Sequence, residues 1–102
     1  MTTDRFTADK TTLRAALERR ARTRQVITYG EAAALVGRST AALMPVLAAI
    51  RDEETRRCRP DLAALVVTIT SGLPRGVGTG QDARERAIAV QEAVFAAWAG
   101  RD

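Results

Sequence analysis

The chain has 102 residues, of which 46% are hydrophobic and 27% charged, with 16 basic against 12 acidic residues and a formal net charge of +4. That length supports one compact domain, and the composition is that of a globular protein whose core needs no metal or disulfide staple. There is no histidine and a single cysteine, Cys58, which excludes Ser-His and Cys-His nucleophilic pairs, histidine metal sites and an internal disulfide.

Residues 1–6 read as a frayed end. Thr7 or Asp9 then caps a helix reaching Arg22, with Leu13, Ala16, Leu17 and Ala21 as its apolar stripe. Val26-Ile27 is a short β-branched step. Thr28-Tyr29-Gly30-Glu31 has the form of a capping box, threonine at the cap and glutamate three residues on, so a second helix spans Glu31 to Val36 and stops at Gly37. Ser39 caps a third helix that continues to Thr55 and buries Leu43, Val46, Leu47 and Ile50; Pro45 either falls in its first turn or kinks it. Two helices joined around a glycine form a helix-turn-helix pattern. Leu62 to Thr70 reads as a strand, Ser71-Gly72 as a turn and Leu73 to Val77 as a return strand. Gly78-Thr79-Gly80 resets the chain. A last helix from Gln81 or Asp82 to Ala99 sets Ile88, Gln91, Val94, Phe95 and Trp98 at helical spacing, with Gly100 beyond its end. The expected fold is therefore α+β, mainly α: a single winged helix-turn-helix domain over 1–102, with a short β-hairpin wing and an additional C-terminal helix.

Every basic residue except Lys10 is an arginine. Such a surplus favours polyanions, because arginine contacts to phosphate release condensed counterions; a solvated arginine-rich surface is the competing reading. With no apolar h-region at the start and no apolar run near the roughly 20 residues a membrane helix needs, the expectation is a cytoplasmic protein with no membrane partner. Its lone cysteine fits a reducing compartment.

Enzymatic chemistry finds little footing. Gly76-x-Gly78-x-Gly80 lacks the Gly-Lys-Ser/Thr of a phosphate-binding loop, and Asp52-Glu53-Glu54 reads as a solvated helix end rather than a cation site. Arg56, Arg57 and Arg59 would make Cys58 more nucleophilic, but no base or resolving cysteine accompanies it. The reading is of a non-enzyme with no cofactor and no metal.

Binding residues fall into three groups. Tyr29, Arg38, Ser39 and Thr40 surround the start of the third helix, where free N–H groups favour phosphate oxygens; the alternative makes Ser39 only a cap and Tyr29 only a filler between helices. Arg51, Arg56, Arg57 and Arg59, with Arg75 near the wing tip, extend the footprint, and a set of four phosphate contacts would make log affinity fall with log salt at a slope of about −3.6. The alternative pairs Arg56 with Asp52. The third helix's outer face, Ala41, Met44, Pro45 and Ala48, is small and apolar, unlike the Arg, Asn, Gln or Lys used for base readout. It suits binding through backbone and shape, or else a protein partner or homodimer. The leading expectation is a winged-helix DNA-binding protein, RNA being a further candidate ligand, with phosphate- and shape-dominated contacts and a role in transcription regulation. The second is a protein-interaction module: an accessory subunit, antitoxin-like partner or inhibitor.

The stretch Ile27-Thr28-Tyr29-Gly30-Glu31-Ala32-Ala33-Ala34-Leu35-Val36-Gly37, with Ala41-Ala42 and the segment from Arg59-Pro60 to Gly80, resembles the winged-helix domain of O6-alkylguanine-DNA alkyltransferases and their catalytically dead alkyltransferase-like relatives. The same cadence is similar to small uncharacterised prokaryotic proteins. The resemblance implies a winged helix and DNA contact, with Tyr29 at the family's phosphate-pressing tyrosine. It puts Leu43 where the family keeps the arginine that fills the gap left by a flipped nucleotide. The family's Pro-Cys-His-Arg tetrapeptide belongs within Leu62 to Ile69 and is absent. Cys58 lies upstream of it. The departures argue against alkyl transfer and against base flipping.

Overall fold

In the computed structural model, residues 5–75, 77 and 80–100 are described. The first helix, α1 (Arg5–Arg22), starts ahead of the expected cap, so Arg5 and Phe6 are helical rather than frayed. Its stripe Leu13, Ala16, Leu17 and Ala21 is buried as the spacing requires, and burying each leucine contributes about 1.5–3 kcal/mol. α1 is the element on which the rest is assembled, since every other helix packs against it. Past its end Arg24 adopts a left-handed conformation, and Arg20 Nη1 donates to the Val26 carbonyl at 2.6 Å, closing the loop into β1 (Ile27–Thr28).

The capping box forms. Thr28 Oγ1 accepts from the Glu31 N–H at 3.1 Å and Glu31 Oε1 accepts from the Thr28 N–H at 3.1 Å, opening α2 (Tyr29–Val36). Gly37, at φ 66°, ends it, with the Arg38 N–H donating back to the Ala33 carbonyl. The next helix is entered more gradually than Ser39 suggests. Ser39 Oγ does accept from the Ala42 N–H, but residues 40–42 form tight i→i+3 turns before α3 (Leu43–Arg56) begins, and Pro45 lies harmlessly in its first turn. Leu43, Val46, Leu47 and Ile50 are buried.

Among the described residues the expected hairpin does not form. Asp61 Oδ1 accepts from the Ala63 N–H at 2.9 Å, and this Asx cap winds Leu62–Leu65 into a 3₁₀ turn. Only Val66–Val67 extends, as β2, and it pairs in parallel with β1, Ile27 beside Val66 and Thr28 beside Val67. A parallel pair needs a long crossover, which α2 and α3 supply. Both β2 valines are buried, so the pair lies inside the core instead of projecting as a wing. The Ser71-Gly72 turn is present, closed by the Thr68 N–H on the Leu73 carbonyl and the Gly72 N–H on the Thr68 carbonyl, each at 2.9 Å. Leu73, Pro74, Arg75 and Val77 lie outside any strand, and Gly76, Gly78 and Thr79 lie outside the described residues.

The last helix, α4 (Gln81–Trp98), closes the core against α1 and the 3₁₀ turn through Gln91, Val94, Phe95 and Trp98. Gln91 Nε2 donates to the Ala64 carbonyl at 3.1 Å, satisfying a buried amide. Ile88, expected in that apolar face, is instead exposed. The architecture is mainly helical with a two-stranded parallel sheet.

Candidate nucleic-acid interface

Tyr29 is the residue around which the surface between α3 and the 68–75 segment is organised. It is the first residue of α2, and its ring is turned inward, leaving only 7% of the residue exposed. Its hydroxyl accepts from the Arg75 N–H at 2.9 Å, while the Arg75 guanidinium lies over the ring, 4.7 Å from its centroid. A cation seated on an aromatic face keeps its charge available to a ligand. Tyr29 therefore positions Arg75 from both its backbone and its side chain.

Two concavities meet at this pair. One, of about 160 Å³, is lined by Tyr29, Met44, Ala48, Arg51 and Arg75 over a floor that includes Asp61, Ala63 and Ala64. The other, of about 350 Å³, runs past Thr28, Gly30, Thr40, Thr68, Ile69 and Thr70. Met44, Ala48 and Arg51 share one side of α3 at i, i+4 and i+7. Residues assigned from the sequence to separate nucleic-acid and protein surfaces thus border the same cleft. Burial pushes the Asp61 carboxyl above the ordinary aspartate value, because a charge loses hydration there.

The remaining expected ligands are dispersed. Arg38 donates from Nε to Asp9 Oδ2 on α1 at 2.8 Å. Ser39 is exposed and Thr40 half-buried beside it. Ala41 and Pro45 are exposed, continuing the apolar outer face of α3. Arg56 and Arg57 sit at the far end of α3; Arg57 Nη1 is 3.7 Å from Glu54, whereas Arg56 makes no ion pair with Asp52. Among the described residues Arg51, Arg56 and Arg75 have no carboxylate within salt-bridge distance. Leu43 is fully buried, so it belongs to the core and offers nothing to a vacated base stack.

Two features escaped the sequence reading. Glu54, expected at a solvated helix end, is fully buried and faces Arg14 Nη1 at 2.8 Å and Arg59 Nε at 3.0 Å, with Arg59 in turn 5.1 Å from the Trp98 ring centroid. The signal was its place four residues after Ile50, in the same apolar stripe. Beside it, hydrogen bonding from Lys10 and then Arg14 holds Glu53 below the ordinary glutamate value. The second feature is Ile69, 86% exposed on the turn after β2; its reading as a strand residue concealed it.

No protein-family model, curated protein or solved structure gives a significant match to the chain. Among the described residues no group of three or more His, Cys, Asp or Glu could hold a metal ion, and no helix is long and apolar enough to cross a membrane.

Proposed function

We propose that this chain is a non-enzymatic DNA-binding protein of the winged-helix kind, in which the 68–75 segment takes the place of a hairpin wing and most binding energy comes from phosphate contacts. The observation that carries the reading is the convergence of Tyr29, Arg51 and Arg75 on one cleft beside α3, with both cations unpaired by carboxylates among the described residues. Thr40 adds a hydroxyl in the adjoining groove. The likeness of Ile27 to Gly37 to the alkyltransferase-like domains supports the winged-helix reading, with Tyr29, the family's phosphate-pressing tyrosine, here buried and holding Arg75 instead. The small, apolar outer face of α3 supports shape-dominated contact over base discrimination.

The two cleft arginines, Arg51 and Arg75, give an expected slope of log affinity against log salt of about −1.8 on random duplex, and Arg51→Ala or Arg75→Ala each lowers its magnitude by about 0.9. Fluorescence anisotropy across a salt titration measures both. Absence of binding at low salt, where phosphate contacts are strongest, overturns the proposal.

A second reading, a protein-interaction module, is favoured by the exposure of Met44 next to Ala41 and Pro45. It takes over if duplex binding is absent while sedimentation finds an association that Met44→Glu abolishes without unfolding the chain.

A further inference from the structure

Ile69 is 86% exposed, against 49% for Leu35, the next most exposed large apolar side chain among the described residues. A single exposed isoleucine is ordinary on a protein surface, so what counts is how its backbone is held and what surrounds it. Here the backbone is held. Val67 on one side and Leu73 on the other are buried, and the turn between them is closed by the paired Thr68–Leu73 and Gly72–Thr68 backbone hydrogen bonds. Within it the Thr68 and Ser71 hydroxyls bond each other at 2.5 Å, Ser71 Oγ accepts from the Leu73 N–H at 3.1 Å, and Gly72 takes the left-handed φ of 69° that the turn requires. The side chain is thus presented outward from a braced support.

Its surroundings decide what it faces. Thr28, Thr40, Thr68 and Thr70 share its groove with Arg75, and the other large apolar groups there, Tyr29 and Val67, are buried. A protein partner would require a contiguous apolar patch. The Thr28 hydroxyl is held by Glu31 and the Thr68 hydroxyl by Ser71, which leaves one apolar tip flanked by Thr40, Thr70 and a cation. That arrangement matches a side chain that enters a base step while its neighbours hold the flanking phosphates. α3 supplies no such group, since Leu43 is buried.

We propose that Ile69 is a wedge that inserts between stacked base pairs of bound duplex DNA and bends it, a role that rests on the nucleic-acid reading above. No bond is made or broken. The unstacking is offset by burial of the isoleucine and by the phosphate contacts that the bend brings within reach of Arg75 and Thr40.

The test uses a short random duplex carrying a fluorescent donor and acceptor at its two ends, titrated with the full chain, Ile69→Ser and Ile69→Leu. The native chain and Ile69→Leu are expected to bend the duplex by roughly 20–90°. Ile69→Ser is expected to leave the duplex straight and to bind with a salt slope about 0.9 smaller in magnitude, because Arg75 then falls short of its phosphate. Circular dichroism of Ile69→Ser should match the native chain, because so exposed a side chain contributes little to the core. Equal bending by the serine variant overturns the wedge and leaves the DNA-binding reading standing, as does native binding without bending. Failure of the native chain to bind at low salt overturns both.

Discussion

The surroundings of Glu54 and the cleft beneath Arg75 are built from the same basic residue, yet they differ in what faces it. Around Glu54, Arg14 and Arg59 are drawn inward by a fully buried carboxylate, and Glu53 recruits Lys10 and Arg14 from α1 at its rim. In the cleft, Arg75 is supported by an aromatic ring, and Arg51 makes no ion pair among the described residues, its electrostatic neighbour there being the partly buried Asp61 carboxyl. The first arrangement spends cationic charge on holding α1, α3 and the C-terminal end of α4 together. The second leaves it for a ligand. A net charge of +4 says nothing about that division, because the arginines inside the Glu54 network count toward it as fully as those in the cleft.

Removing Glu54 is the strongest way to break this contrast. Glu54→Ala leaves Arg59 without its carboxylate and Arg14 with only Glu53 and Glu18, beside an unfilled cavity, and the expected loss is about 3 kcal/mol, the low end for breaking a buried pair. Urea denaturation measures it; a loss below about 1 kcal/mol, the range of exposed pairs, would dissolve the distinction between the two regions.

A smaller effect sharpens the anchored side. Cys58 closes α3 in a Schellman arrangement, with the Arg59 N–H on the Glu54 carbonyl at 2.9 Å and the Cys58 N–H on the Thr55 carbonyl at 3.1 Å. Its φ is 55°, a conformation that glycine adopts without strain, and its side chain is exposed. Cys58→Gly is therefore expected to stabilise the fold by about 0.5–1 kcal/mol, read as a raised denaturation midpoint. A destabilised variant would mean that the cysteine side chain contributes contacts at that end.

The smallest expected change is on the cleft side. Arg51→Ala should alter stability by no more than about 0.5 kcal/mol, as for surface positions without a structural partner, while lowering the salt slope of duplex binding. A larger loss of stability would move Arg51 into the same class as Arg14 and Arg59.

Local patterns were legible wherever neighbours in sequence settle the outcome. The Thr28–Glu31 capping box, the Gly37 stop, the buried stripes of α1 and α3 and the Ser71-Gly72 turn all rest on interactions within a few residues, and each formed. The segment from Leu62 to Thr70 failed the same reading because its β-branched run competes with an Asp61 cap and with a long-range partner, Ile27–Thr28, that no local period announces. The candidate site was legible as a set of residue types. Its grouping was not: Arg38 went to Asp9 on α1, while Arg75 came to Tyr29 from 46 positions away.

By itself, then, the amino-acid order determined which segments form the four α-helices among the described residues, where three of them stop or start, and that this chain carries no histidine chemistry. Only the tertiary structure decided which arginines meet carboxylates and which stand in the cleft, and which of two apolar runs enters the core. The physical reason is range. Caps and stripes are satisfied within one or two helical turns, whereas a charge or a strand edge is satisfied by whatever the packing of α1, α3 and α4 brings beside it.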